Sequence, residues 1–164
     1  MDYSSYKNWF ENLATRLASI AHTPEQPRFL FYIDGALPDA RRSFKDMFSS
    51  PCLVLFPFSS EGDGKNASTN QEVIRGSFSI VQAHTPKNPD ELVNLVDTLK
   101  PIALKVVAAM KAEASKIDGF ARYFTGKEWE GEVQEIRNDL IGYTITFNFT
   151  NSLNLSVDPA DYLS

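Results

Sequence analysis

The chain has 164 residues, which is enough for one domain with a substantial hydrophobic core. Its apolar content of 43% and aromatic content of 12% are typical of a globular protein and exclude a disordered or fibrous one. The formal net charge is −5 and the basic residues are scattered, which disfavours nucleic-acid binding by a broad basic surface.

The first third of the chain predicts two strands and one or two helices. An amphipathic helix is expected over residues 3–22, because apolar side chains recur at a spacing of three to four until two prolines follow. Residues 29–33 form an apolar run that predicts a strand buried on both faces. Residues 38–48 predict a short helix, and residues 52–56, between two prolines, predict a second buried strand.

The polar residues 59–72 contain no large apolar side chain before the next strand begins, so we expect a flexible, exposed loop there. A third strand is predicted from Val73 to Ala83. Its alternation places Ile74, Phe78 and Ile80 on one face and Arg75, Ser77 and Ser79 on the other.

The clearest helix signal begins at Asn88, with Pro89 at the first helical position and Glu91 placed as in a capping box. Pro101 should kink this helix or split it in two, and Gly119 should end it. Its buried seam is predicted to consist of Leu92, Leu95, Leu99, Ile102, Val106 and Met110, widened by Val96, Ala103 and Val107.

The strongest strand signal lies near the C-terminus. Apolar residues occupy the odd positions of 141–149 and mostly polar residues the even ones, which predicts a strand with one buried and one wet face. A weaker strand over 133–137 should pair with it through a turn at 138–139, and residues 153–157 could extend it. Ile145 and Phe147 are expected to be buried, with Thr144 and Thr146 on the opposite face.

These elements predict a single α+β domain over residues 1–164. The sheet should be mixed and mainly antiparallel, with the N-terminal helix and the long kinked helix packed on one face. The chain shows neither a signal-peptide pattern nor an apolar run long enough to span a bilayer, so we expect a cytoplasmic protein without membrane association.

The sequence contains no recognisable catalytic or metal-binding pattern. His22 and His84 are the only histidines and share no motif with a nucleophile, and Cys52 is the only cysteine and is predicted to be a buried thiol. The carboxylate pairs Glu128/Glu130 and Glu132/Glu135 have the groups needed for acid–base work, but their surroundings indicate charge on the wet face of an exposed edge instead. We therefore predict a protein that is not an enzyme and that uses no cofactor, metal or small-molecule substrate.

The aromatic segment before the last two strands is the best candidate for a partner surface. Its predicted partner-binding residues are Tyr123, Phe124, Trp129 and Val133. Packing of the aromatic rings over the sheet edge is an alternative of at least equal weight.

The element order resembles that of the small tail-completion and tail-terminator proteins of long-tailed bacteriophages and prophages. The resemblance rests on the amphipathic N-terminal helix, the strand VIRGSFSIVQA, the long helix and the ending NDLIGYTITFNF. It implies a structural virion-assembly protein that forms a ring, often a hexamer, at the head-proximal end of the tail tube.

The partners that this resemblance implies are other copies of the chain and other tail or connector proteins. The location that it implies is the cytoplasm during assembly and then the virion tail. The alternative function is a small intracellular binding module, such as an immunity or adaptor protein, that docks a partner through an aromatic surface near residues 120–130.

Overall fold

The protein is described here from a computed structural model. The structure describes residues 3–32, 47–63, 71–84, 88–114, 129–137 and 140–152. Several predicted features lie outside these residues: most of the helix at 38–48, the stop at Gly119, the turn at 138–139 and the possible extension at 153–157. Within the described ranges, no helix combines the length and the apolar character that crossing a membrane would require.

The N-terminal helix α1 spans Tyr3–Arg16 and is shorter than the predicted 3–22. Beyond it the chain turns, with the amides of Ile20 and Ala21 both donating to the carbonyl of Leu17. Ala21 then adopts a positive φ of 51°, which a continuing right-handed helix does not allow. The helix therefore ends before the prolines that were expected to end it.

The next four described strands lie between residues 29 and 83. Strand β1 spans Phe29–Phe31, β2 Cys52–Leu55, β3 Ser59–Asp63 and β4 Gln71–Ala83. The prediction for β2 is confirmed, since all four of its residues are buried. The prediction of burial on both faces is wrong for β1, which is a terminal strand of the sheet with only Phe29 buried.

The prediction of a flexible loop over 59–72 is wrong for residues 59–63 and 71–72, which form strands, and residues 64–70 lie outside the described residues. Residues 59–63 form β3, which pairs antiparallel with the first five residues of β4, from Ser59 opposite Arg75 to Asp63 opposite Gln71. The polar sequence lacks the apolar alternation of a strand, but the ladder of backbone hydrogen bonds to β4 does not need it. Residues 59–62 are exposed, as expected.

Helix α2 spans Pro89–Ala114 and begins with the predicted capping box. The Glu91 amide donates to Asn88 Oδ1 at 3.0 Å, and Asn88 Nδ2 donates to Glu91 Oε1 at 3.3 Å. The helix is not split at Pro101, which lies on its exposed side, where the carbonyl of Asp97 that loses its donor can bond to water.

The last described elements are two long paired strands, β5 at Trp129–Arg137 and β6 at Leu140–Ser152. They are antiparallel, with Val133 opposite Tyr143. The alternation in β6 is confirmed, because Tyr143, Ile145, Phe147 and Phe149 are buried.

The strands form one mixed, mainly antiparallel sheet in the order β1-β2-β4-β6-β5, with β3 paired to β4 beside β2. Among the described strands, only β1 and β2 pair in parallel. Both described helices lie on one face, α1 near β1 and β2 and α2 over β4 and β6. The main core lies between them and the sheet, and its largest fully buried side chains include Tyr6, Phe10, Phe78, Phe147, Leu99 and Met110.

The sequence predicted that the opposite face of the sheet would be wet. This prediction is wrong for part of that face. Ser79 and Thr144 face each other across β4 and β6, are 0% and 4% exposed, and are joined by a hydrogen bond of 3.1 Å. A second apolar cluster accounts for burial at this end of the sheet; its buried members are Phe48, Cys52, Val54 and Val81. Thr146, farther along β6, is exposed as predicted.

Candidate interaction edge

Strand β5 lies at the end of the sheet and pairs with β6 on one side only. Among the described residues, no strand pairs with its other side, which we call the outer edge of β5. An unpaired strand edge presents a row of backbone amides and carbonyls that another strand can bind. The regular pairing runs from Trp129 to Glu135, and a register shift between Glu135 and Arg137 ends it.

The side of β5 that faces the helices is apolar. Trp129 is half-buried and packs against the main core, and Val133 is 45% exposed. Between them, Gly131 leaves room for Tyr143 of β6, because a Cβ atom at Gly131 would lie 2.7 Å from the Tyr143 hydroxyl. The Tyr143 ring therefore covers β5 where β5 has no side chain of its own. Lys100 Nζ lies 6.0 Å from the centroid of this ring.

The other side of β5 is acidic. Glu130 and Glu132 alternate with the apolar positions, project from the face that faces away from the helices and are exposed. The Gln134 side-chain amide donates to the Glu132 carboxylate at 2.5 Å, which holds that carboxylate beside the strand. Ile136 follows on the same face and packs against the second apolar cluster.

Two of the four predicted partner-binding residues are thus brought together. Trp129 and Val133 lie on the same side of the same terminal strand, as their separation by an even number of positions requires. Trp129 packs against the main core, which agrees with the alternative that the aromatic rings pack over the sheet, and Val133 is exposed. Tyr123 and Phe124 lie outside the described residues.

Sequence reasoning missed the contribution of Tyr143 and Gly131 to this edge. Tyr143 was assigned to the buried face of β6, which is correct but does not show that its ring reaches β5. A glycine inside a strand does indicate close approach by a neighbouring group. Here Gly131 lies outside the strand predicted over 133–137, and the observed strand begins earlier, at Trp129.

The remaining chemically reactive side chains are accounted for by packing. The Cys52 thiol donates to the Met47 carbonyl at 2.9 Å, and its burial raises its pKa to about 12, with Arg28 acting in the opposite direction. Burial also raises the pKa of Tyr6 above its ordinary value, with a smaller contribution from neighbouring Tyr3. Both groups are therefore neutral at physiological pH.

The two histidines lie at the ends of elements. His22 Nδ1 accepts a hydrogen bond from the Arg28 amide at 3.0 Å, which fixes the turn before β1. His84 follows β4 directly, and its Nε2 lies 3.7 Å from Glu91 Oε2 at the start of α2. Within the part of the chain that the structure describes, no three His, Cys, Asp or Glu side chains are grouped so as to hold a metal ion.

Neither a scan against models of known protein families nor a search of curated proteins finds a match for this chain.

Proposed function

We propose that this protein is a non-enzymatic structural subunit of a phage or prophage tail that joins its neighbours through the outer edge of β5. The proposal takes the ring at the head-proximal end of the tail tube as the assembly, with the subunit in the cytoplasm before assembly and in the virion tail afterwards. The observation that carries it is a terminal strand whose exposed Val133 stands beside a backbone edge with which no described strand pairs.

The charge on β5 limits how copies could meet. Pairing β5 of one copy with β5 of another would bring Glu130 and Glu132 of both copies onto one face, and like charges opposite each other destabilise a sheet. A symmetric dimer through two β5 strands is therefore disfavoured. Contacts between different surfaces of successive subunits, which can close into a ring, are compatible with this edge.

A substitution at Val133 tests the role of the edge. Val133→Lys should leave the fold intact, because the side chain is 45% exposed, and should reduce assembly of tails in a complementation assay. The matched control is Val93→Lys on α2, where the replaced valine is 56% exposed, and it should support normal tails. Normal tails with a folded Val133→Lys protein would refute the proposed edge.

The same acidic edge supports a second candidate, the immunity or adaptor protein, because it discourages self-pairing and still leaves β5 available to a different chain. Measuring the solution mass across a concentration series separates the two candidates. A ring subunit should form a closed oligomer at high concentration, whereas an adaptor should stay monomeric until its partner is added. A gene neighbourhood without tail or capsid genes would exclude the phage assignment.

A further inference from the structure

We propose that the outer edge of β5 receives an extended segment of a different protein in which basic and apolar residues alternate. The inference rests on the proposed function in one respect, namely that β5 is a docking edge. It goes further by specifying the sequence pattern of the strand that docks there.

The two sides of β5 make different demands on an added strand. In an added strand, the side chains directly opposite Glu130 and Glu132 would lie on the face that faces away from the helices, where two exposed carboxylates attract positive charge. The side chains opposite Gly131 and Val133 would lie on the other face, against the Tyr143 ring and the exposed valine. Apolar side chains fit there.

These demands have a fixed period. Because successive side chains of a strand point to opposite faces, the two basic residues must be separated by one position, and the apolar residues must alternate with them. The partner segment therefore has the pattern basic, apolar, basic, apolar. Strand addition of this kind takes its affinity from backbone hydrogen bonds and its specificity from alternate side chains.

This chain does not contain the complementary pattern. Among its 16 lysines and arginines, no two are separated by a single position. The described strands that end the sheet on the other side are equally unsuitable, since β1 is Phe-Leu-Phe and β3 carries Glu61. The occupant that the charge of β5 selects is therefore a segment of another protein.

A synthetic peptide tests the pattern directly. The probe is a peptide as long as β5 in which lysine and valine alternate, with both ends blocked, and it is titrated into the full chain while the backbone amides are followed by NMR. We expect saturable shifts along β5 from Glu130 to Glu135 and weaker binding as salt is added. Shifts confined to other strands, such as the edge at β3, would overturn the proposal.

Two control peptides separate the pattern from charge and composition. One has the same lysines and valines arranged in two blocks, and the other has glutamate in place of each lysine. Both should bind at least about tenfold more weakly, because the block peptide places lysine rather than valine between the two lysines that face the carboxylates, and the glutamate peptide places negative charge opposite both carboxylates. Equal binding by the block peptide would mean general attraction to an acidic protein and would overturn the inference.

Charge-reversal variants test the two carboxylates. The double variant Glu130→Lys, Glu132→Lys should lose about tenfold or more in affinity for the lysine peptide and should now prefer the glutamate peptide. The matched control, Glu25→Lys with Asp97→Lys, changes the net charge equally at exposed positions outside β5 and should leave the affinity within about twofold. Equal losses in both variants would overturn the inference.

The outcomes distinguish this inference from the proposed function. Peptide binding without preference for alternation, combined with loss of tails in Val133→Lys, would refute the inference and retain the assembly role. Binding with the expected preference, combined with normal tails in Val133→Lys, would refute the role of this edge in tail assembly and retain the docking strand.

Discussion

A glycine in the middle of the sheet provides a sharp test of how the main core is packed. Gly76 lies in β4 opposite Phe147 of β6 and is buried. A Cβ atom at Gly76 would lie 2.7 Å from Phe147 Cζ, 2.9 Å from Phe147 Cε2 and 2.8 Å from the Tyr6 hydroxyl. These separations are well below ordinary carbon contacts of about 3.5–4.0 Å. The absence of a side chain at Gly76 is thus what allows the two rings to lie against the strand.

Gly76→Ala should therefore destabilise the protein, and Gly62→Ala supplies a matched control in β3. Each substitution reduces the entropy of the unfolded chain, which alone stabilises by about 0.4–1 kcal/mol. At Gly62 no atom lies within 4 Å of the new Cβ, so this gain should remain. At Gly76 overpacking opposes it with a cost of about 1–3 kcal/mol. The two variants should thus differ by roughly that cost in the free energy of unfolding.

Urea unfolding followed by circular dichroism measures these free energies, and a double-mutant cycle identifies the cause. Phe147→Leu removes both ring atoms that meet the new Cβ and keeps an apolar side chain. If the clash is with the ring, Gly76→Ala should cost less in the Phe147→Leu background, with a coupling energy of about 1 kcal/mol. Strict additivity, or equal effects of Gly76→Ala and Gly62→Ala, would refute this account of the core.

Three further predictions concern the face away from the helices, the buried thiol and the start of α2. Thr144→Ala removes the partner of the buried Ser79 hydroxyl and should lower the free energy of unfolding in urea by about 1–3 kcal/mol. The exposed Thr146→Ala should change it by less than about 0.5 kcal/mol. Equal losses would contradict the burial of Thr144 and the exposure of Thr146. The pKa of the Cys52 thiol is 9.0 in the unfolded chain and about 12 in the folded protein. The free energy of unfolding should therefore fall as pH rises through that window, and Cys52→Ala should remove that part of the fall. In thermal unfolding, Asn88→Ala should lower the free energy of unfolding by about 0.5–2 kcal/mol. Asn88→Asp should not lower it, because aspartate, unlike alanine, retains an oxygen that accepts from the Glu91 amide.

The sequence predicted best the elements whose pattern is set by one buried face. The seam of α2 and the alternation of β6 each place apolar residues at the period of one element, so burial of Leu99, Val106, Ile145 and Phe147 followed from spacing alone. The capping box at Asn88 was predictable for a similar reason, since its hydrogen bonds join residues three positions apart.

The features that sequence missed depend on residues far apart in the chain. Strand β3 is polar and forms because β4 extends beyond β2 and offers it a free stretch of ladder. Ser79 and Thr144 are 65 positions apart, and their burial depends on an apolar cluster that local alternation does not reveal. The same applies to the candidate edge, where Tyr143 covers Gly131 only because β6 and β5 are paired.

The charge of β5 explains how an unpaired edge could be retained without uncontrolled association. An exposed strand edge invites pairing with any other strand, and charged side chains are one of the means by which proteins limit this. Glu130 and Glu132 would oppose pairing with another copy or with an acidic or purely apolar strand, and no described strand pairs with the outer edge of β5. Repulsion against the wrong strands and attraction for a basic one come from the same two carboxylates, so a single pair of side chains supplies both parts of specificity. These charges would make the edge of β5 selective without blocking it. The Glu130→Lys, Glu132→Lys variant should therefore lose affinity for basic strands and prefer acidic ones.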